Sequence, residues 1–144
     1  MLKVKVITIG RCKEAWLEEA LAEYQKRLLG TLAIEWVLIK QKLEWAEHLQ
    51  KAPHVIALDV QGSLLSSEAF SHKLYHTWGA RPVFVIGGAD GLPTEILQQV
   101  SFRWSLSPLT FPHQIVRLLL LEQFYRAQEI DRGSAYHKNL KARK

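Results

Sequence analysis

Apolar and polar positions alternate from Lys3 and then give way to VITIG, which predicts a strand over Lys3–Gly10. From Glu14 to Leu29 the period changes, with Trp16, Leu17, Ala20, Leu21, Tyr24 and Leu28 recurring at helical spacing. Acidic residues lead that helix, Lys26 and Arg27 close it in keeping with its dipole, and Gly30 stops it. Ala33–Ile39 is β-branched and aromatic, as a strand is, and Gln41–Lys51 reads as a short polar helix. HVIALDV predicts a buried strand over His54–Val60, with Gly62 turning the chain. Ser66 caps a helix that runs to Trp78, and Gly79 ends it. The unbroken apolar run PVFVI (Pro82–Ile86) predicts a strand covered on both faces. After the loop GGADGL come a short helix over Pro93–Val100, a strand over Phe102–Leu106 and a long helix over Phe111–Ile130. Strict alternation of strand and helix predicts α/β architecture, a mostly parallel sheet flanked by helices. No repeat or linker divides the chain, so residues 1–144 form one domain with a basic tail from 132 to 144.

The last helix is apolar on too many sides to lie on a surface. Ile115, Val116, Leu118, Leu119, Leu120, Leu121, Phe124, Tyr125, Ala127 and Ile130 cannot all face one sheet. Either one chain buries the helix completely, or a second copy covers its free side. The second solution predicts a homodimer.

Composition narrows the class further. Length 144, 48% hydrophobic residues and no long uninterrupted apolar run fit a globular domain without a membrane span. The single cysteine, Cys12, cannot form an internal disulfide, which fits a reducing cytoplasm. The net charge of +5 is unevenly placed: Arg132, Lys138, Lys141, Arg143 and Lys144 supply five positive charges in the last stretch, with no acid among them. The remaining 14 basic and 14 acidic residues cancel, so a neutral body carries a basic tail, suited to a polyanion such as nucleic acid or simply to solvent.

In open parallel sheets, ligands sit beyond the carboxyl ends of strands. Three such ends carry turn chemistry: Leu58-Asp59, Gly87-Gly88 and Leu106-Ser107. The first strand ends in IGRCKE, without GxGxxG, and no GxxxxGK[ST] occurs, so neither a dinucleotide fingerprint nor a P-loop is present. His113 and Arg117 stand at i, i+4, about 6 Å apart on one face of the last helix and leaning toward the loop before it. A buried guanidinium inside IVRLLLL requires an anion. That anion is a ligand's, or a carboxylate such as Glu122 of the partner subunit. Within the chain Glu122 has Arg126 at i, i+4. His72 and His76 share the same spacing but lack a third ligand, so no metal is expected. Trp104, beside the loop, is placed to line a purine pocket.

Three segments in this order, FVIGGADGL, SFRWSLSPLTFPHQIVRLLLLEQFYRA and AYHK, closely resemble the ribosomal RNA large-subunit methyltransferase H family. That family belongs to the SPOUT, or α/β-knot, methyltransferases, and the likeness runs from KVKVITIG to YHK, with ALDVQG at the family's LD-x-x-G strand end. The resemblance implies a homodimeric enzyme with a C-terminal trefoil knot. It would use S-adenosylmethionine to methylate N3 of a pseudouridine in 23S rRNA on the assembled ribosome. It places the cofactor on Leu58, on Gly87 and on Leu106, Ser107, Pro108, Leu109, Thr110 and Phe111. Arg117 would meet a substrate phosphate or oxyanion, with His113 and Glu122 shaping the loop and its proton network. Tyr136, His137 and Lys138 would complete the site, that of the other protomer included, with His137 as the proton acceptor.

The chain departs from the family pattern at its end, where NLKARK follows YHK. Two other functions fit the same features: a non-catalytic ribosome-associated factor, and an α/β-knot tRNA methyltransferase, although such enzymes usually carry an added RNA-binding domain. If Lys141, Arg143 and Lys144 contact phosphates along with Arg117 and Lys138, truncation after Lys138 weakens RNA affinity and flattens its salt dependence in a binding titration. An unchanged salt slope would assign those residues to solvent.

Overall fold

The computed structural model describes residues 1–10, 12–40, 44–88 and 90–138. The strands are Leu2–Ile9 (β1), Leu32–Ile39 (β2), Val55–Leu64 (β3), Val83–Ile86 (β4) and Phe102–Ser105 (β5). The helices are Ala15–Arg27 (α1), Glu44–Leu49 (α2), Ser67–His76 (α3), Thr94–Leu97 (α4) and His113–Arg132 (α5). Every pairing is parallel, in the order β2-β1-β4-β3-β5. The expected alternation and parallel sheet are therefore present.

Side chains alternate across the sheet because successive Cβ atoms point to opposite faces. Val4 and Val6 of β1, with Phe84 and Ile86 of β4, pack under α1, α3 and α5. Ile7, Val83 and Val85 point the other way, onto Trp45 and Leu49 of α2 and Ile96 of α4. All four β4 residues are buried, as an unbroken apolar run between two layers requires. The main core centres on Phe70 of α3. Its ring stacks on Trp104 at 4.3 Å between centroids and 16° between planes, with Trp78, Phe84 and Phe124 around it. Fully burying each such ring contributes about 1.5–3 kcal/mol. Trp104 is 2% exposed and so forms part of the core.

Several boundaries differ from the sequence reading. Of the helix expected over 41–51, α2 spans Glu44–Leu49, and residues 41–43 lie outside the described set. The helix expected over Pro93–Val100 shrinks to Thr94–Leu97, with Pro93 as its N-cap. At the other end, α5 runs past Ile130 to Arg132, where Gly133 closes it with φ 73°. The first tail residue is thus helical, while Lys141, Arg143 and Lys144 lie outside the described residues.

Strand β3 shows the largest difference. It does not end at Val60: after an irregularity between Leu58 and Ser63 it pairs again, Ser63 with Trp104 and Leu64 with Ser105. Gly62 serves close approach here, since a Cβ on it would sit 2.5 Å from the Arg103 carbonyl oxygen. Gly62→Ala should therefore lower unfolding free energy by about 1–3 kcal/mol in chemical denaturation. Full stability in that variant would mean that β3 and β5 separate without cost.

Candidate functional site

Parallel pairing brings the irregularity in β3 and the carboxyl ends of β4 and β5 to one edge of the sheet. A cavity of about 620 Å³ opens there, in the size range of small-molecule sites. Leu58, Asp59 and Val60 line it from β3, and Ile86, Gly87, Gly88 and Gly91 from the end of β4 and the loop beyond. Trp104, Leu106, Ser107, Leu109, Thr110 and Phe111 line it from β5 and the following loop, and Pro112, His113 and Val116 from the start of α5. Seven of the eight cofactor positions expected from sequence thus meet on one cavity. Pro108 is exposed and does not line it.

Local bonds hold the walls. The Ser105 hydroxyl donates to the Ser107 carbonyl at 2.9 Å, and the Ser107 Oγ accepts from the Leu109 amide at 3.0 Å, so the loop after β5 closes on itself. The Gly91 amide donates to the Gly88 carbonyl at 3.0 Å. A Cβ on Gly87 would lie 2.6 Å from the Gly91 carbonyl carbon, so this wall has room only for glycine. The Asp59 Oδ1 accepts from the Gln61 amide at 3.1 Å, an Asx turn at the irregularity within β3.

The two residues at the start of α5 part company. His113 lines the cavity, and burial, reinforced by the Arg117 guanidinium, lowers its pKa. Arg117 does not reach the cavity. Its Nη2 donates to the carbonyls of Ile9 and Gly10, at 3.0 and 3.1 Å. It is 2% exposed, forms no ion pair with the described residues, and leaves its Nε unpartnered. Arg117 instead floors a second groove of about 390 Å³ with Cys12, Leu21, Trp36 and Leu38. The carbonyls at the end of β1 offer the buried cation acceptors nearer than the loop, which spacing along α5 alone does not reveal.

A third cluster surrounds the tail. Arg126 donates to both oxygens of Glu122, Nε to Oε1 and Nη2 to Oε2, each at 3.1 Å. The Tyr136 hydroxyl donates to the Glu122 Oε2 at 2.6 Å, and its ring lies against Tyr125 and under the Arg126 guanidinium. Burial, then the bond to Glu122, raises the Tyr136 pKa well above the ordinary tyrosine value. Arg126 Nη1 lies 3.0 Å from His137 Nδ1, and Glu68 of α3 lies 2.8 Å from His137 Nε2. A guanidinium only donates, so Nδ1 accepts and the ring proton sits on Nε2, directed at Glu68. That bond lowers the Glu68 pKa. The expected Glu122–Arg126 pair is present, but its larger role, seating Tyr136 and His137, was not read from sequence. Lys138 is exposed, and among the described residues no group of three His, Cys, Asp or Glu side chains is placed to hold a metal.

Glu122→Gln removes the carboxylate shared by Arg126 and Tyr136. It should raise amide exchange across 134–138 and cost about 1–3 kcal/mol of stability. Unchanged exchange there would mean that the tail is seated by Glu68 alone.

The chain that builds this glycine-walled cavity beside a long C-terminal helix has relatives among known proteins. The family model described as "Predicted SPOUT methyltransferase" matches residues 2–137. The chain is 50% identical over 141 residues to "Ribosomal RNA large subunit methyltransferase H" of Protochlamydia amoebophila, covering 96% of this chain and 100% of that one. It is 39% identical over 137 residues to the protein of the same name from Prochlorococcus marinus, covering 93% and 94%. Among solved structures it is similar in fold to a probable methylase family protein from Haemophilus influenzae, with TM-score 0.62 and 11% identity, over 90% of this chain and 66% of that one. Near-complete coverage at half identity and a family match across the same residues lead to one conclusion: this chain belongs to the SPOUT methyltransferases, within the ribosomal RNA large subunit methyltransferase H family.

Proposed function

We propose that this protein transfers a methyl group from S-adenosylmethionine to N3 of a pseudouridine in 23S rRNA. It would act in the cytoplasm, on the assembled ribosome, as a homodimer whose C-terminal third carries the family's trefoil knot. The observation that carries this reading is the cavity: Leu58, Gly87 and the loop from Leu106 to Phe111 converge on it in a chain of this family. Relatives named for ribosomal RNA support the substrate class. No helix among the described residues is long and apolar enough to cross a membrane, which is compatible with that location.

The residues present fit the cofactor. Gly87 leaves space that a Cβ would fill, apolar Leu58, Leu106, Leu109 and Phe111 can enclose an adenine, and the loop backbone offers polar groups. When bound, S-adenosylmethionine supplies an electrophilic methyl on sulfur. The protein's task is then to hold the base in line and to take the N3 proton as the lone pair closes on the methyl carbon. His113, with its lowered pKa, avoids placing a second positive charge beside a sulfonium.

Tyr136 and His137 cannot serve the cavity of their own chain from their seat. His113 lines the cavity and Arg126 holds His137; 13 residues of helix separate them, about 20 Å along the axis. A dimer removes this difficulty by presenting the tail of one protomer to the cavity of the other. In that arrangement His137 accepts the proton after giving up the Arg126 contact, Tyr136 remains a donor, and Lys138 meets the RNA backbone. Arg117 would make its phosphate or oxyanion contact through the groove it floors. The half-buried Ile115, Leu118 and Leu119 of α5, with Trp16 54% exposed on α1, favour a covered face on this side.

The deciding experiment is methyl transfer from labelled S-adenosylmethionine to whole ribosomes, free subunits and tRNA, with the modified nucleotide located by mass spectrometry. Label in 23S rRNA of whole ribosomes is expected; label in tRNA alone, or in nothing, would refute the reading. His137→Ala should lower the transfer rate by about 10²-fold or more while leaving cofactor affinity nearly intact. Equal loss of both would remove His137 from the chemistry.

A further inference from the structure

The charges on the cavity wall carry an inference that goes beyond cofactor identity, although it rests on that reading. Of the described residues lining the cavity, Asp59 is the one carboxylate and His113 the one base; the others are apolar, glycine, serine or threonine. Asp59 stands at the irregularity within β3, with Oδ1 held by the Gln61 amide at 3.1 Å. It forms no ion pair with any described residue, and its Oδ2 has no hydrogen-bond partner among them. Arg117, the cation beside His113, faces away into the second groove with its Nη2 on the β1 carbonyls. Among the described residues the wall therefore holds one carboxylate with no cationic partner, set among mostly apolar neighbours.

A methyl donor with a sulfonium carries one more positive charge than the thioether left after transfer. We propose that Asp59 is the specificity-determining residue by which the cavity prefers the charged methyl donor over its demethylated product. The carboxylate attracts the donor's cationic sulfur in the loaded state. Methyl transfer removes that charge while the rest of the nucleoside stays the same, so the attraction fades when the product must leave. Because the Asx turn positions Asp59 through Oδ1, the remaining oxygen is free to face the ligand without a change of backbone.

The test is calorimetric titration of the full chain with S-adenosylmethionine, with the amine analogue sinefungin, which is cationic but has no methyl to transfer, and with S-adenosylhomocysteine. The wild-type protein should bind both cationic ligands about tenfold more tightly than S-adenosylhomocysteine. Asp59→Asn keeps an oxygen for the Asx turn and removes only the charge. It should weaken both cationic ligands by about tenfold and leave S-adenosylhomocysteine within about twofold. Equal weakening of all three, or no change in any, would overturn the assignment. So would a wild-type protein that binds S-adenosylhomocysteine as tightly as the donor, a result that does not depend on the variant folding. Failure of the wild-type protein to bind any of the three would instead overturn the methyl-donor reading itself.

Discussion

The candidate site depends on where α5 begins, and a buried guanidinium fixes that. Arg117 bonds the carbonyls of Ile9 and Gly10, tying the first turns of the last helix to the end of the first strand. Removing an arginine from water is costly unless its donors are met, and two carbonyls meet part of that need. The tie sets the position of His113, one turn away, and of the adjacent Val116, both of which line the cavity. It also holds the far end of the loop from Leu106 to Phe111. If α5 slid along the sheet, one cavity wall and the second groove would change together. The two are therefore one mechanical unit.

A second constraint lies further along the same helix. Glu122, Arg126, Tyr136, His137 and Glu68 form a chain of charge-assisted bonds that folds the tail against α3 and α5. Each member is partly exposed, so the network orders the tail without fixing it as core packing would. The aromatic core around Phe70 is the opposite case: Trp104 is stacked, buried and unable to follow a ligand.

Much of this was legible in the sequence because it rests on local pattern. Periodicity, apolar runs and capping residues gave every strand and helix, and the turn chemistry at Leu58-Asp59, Gly87-Gly88 and Leu106-Ser107 marked the cavity. What was not legible depends on contacts between distant residues. Glu68 and His137 are 69 positions apart, and no spacing rule joins them. Arg126 looked like an ordinary helical pair with Glu122, since its second and third partners, His137 and Tyr136, lie on the tail. Gly62 read as a turn because a close strand approach and a turn ask for the same residue. Arg117 is buried as expected, but in place of the expected anion it meets backbone carbonyls of β1 and the residue after it, over 100 residues earlier.

The position of β4 in the sheet has a consequence for synthesis. β1 and β2 are consecutive in the chain and already paired side by side, whereas β4 bonds to β1 on one edge and to β3 on the other. Until Val83–Ile86 has left the ribosomal tunnel, the nascent chain carries a β1-β2 pair and a lone β3 with bare edges. At about 5–20 residues per second, that interval lasts several seconds. Exposed strand edges attract other strands, so this short, wholly buried segment removes the inner edges of β1 and β3, and β5 later covers the other side of β3.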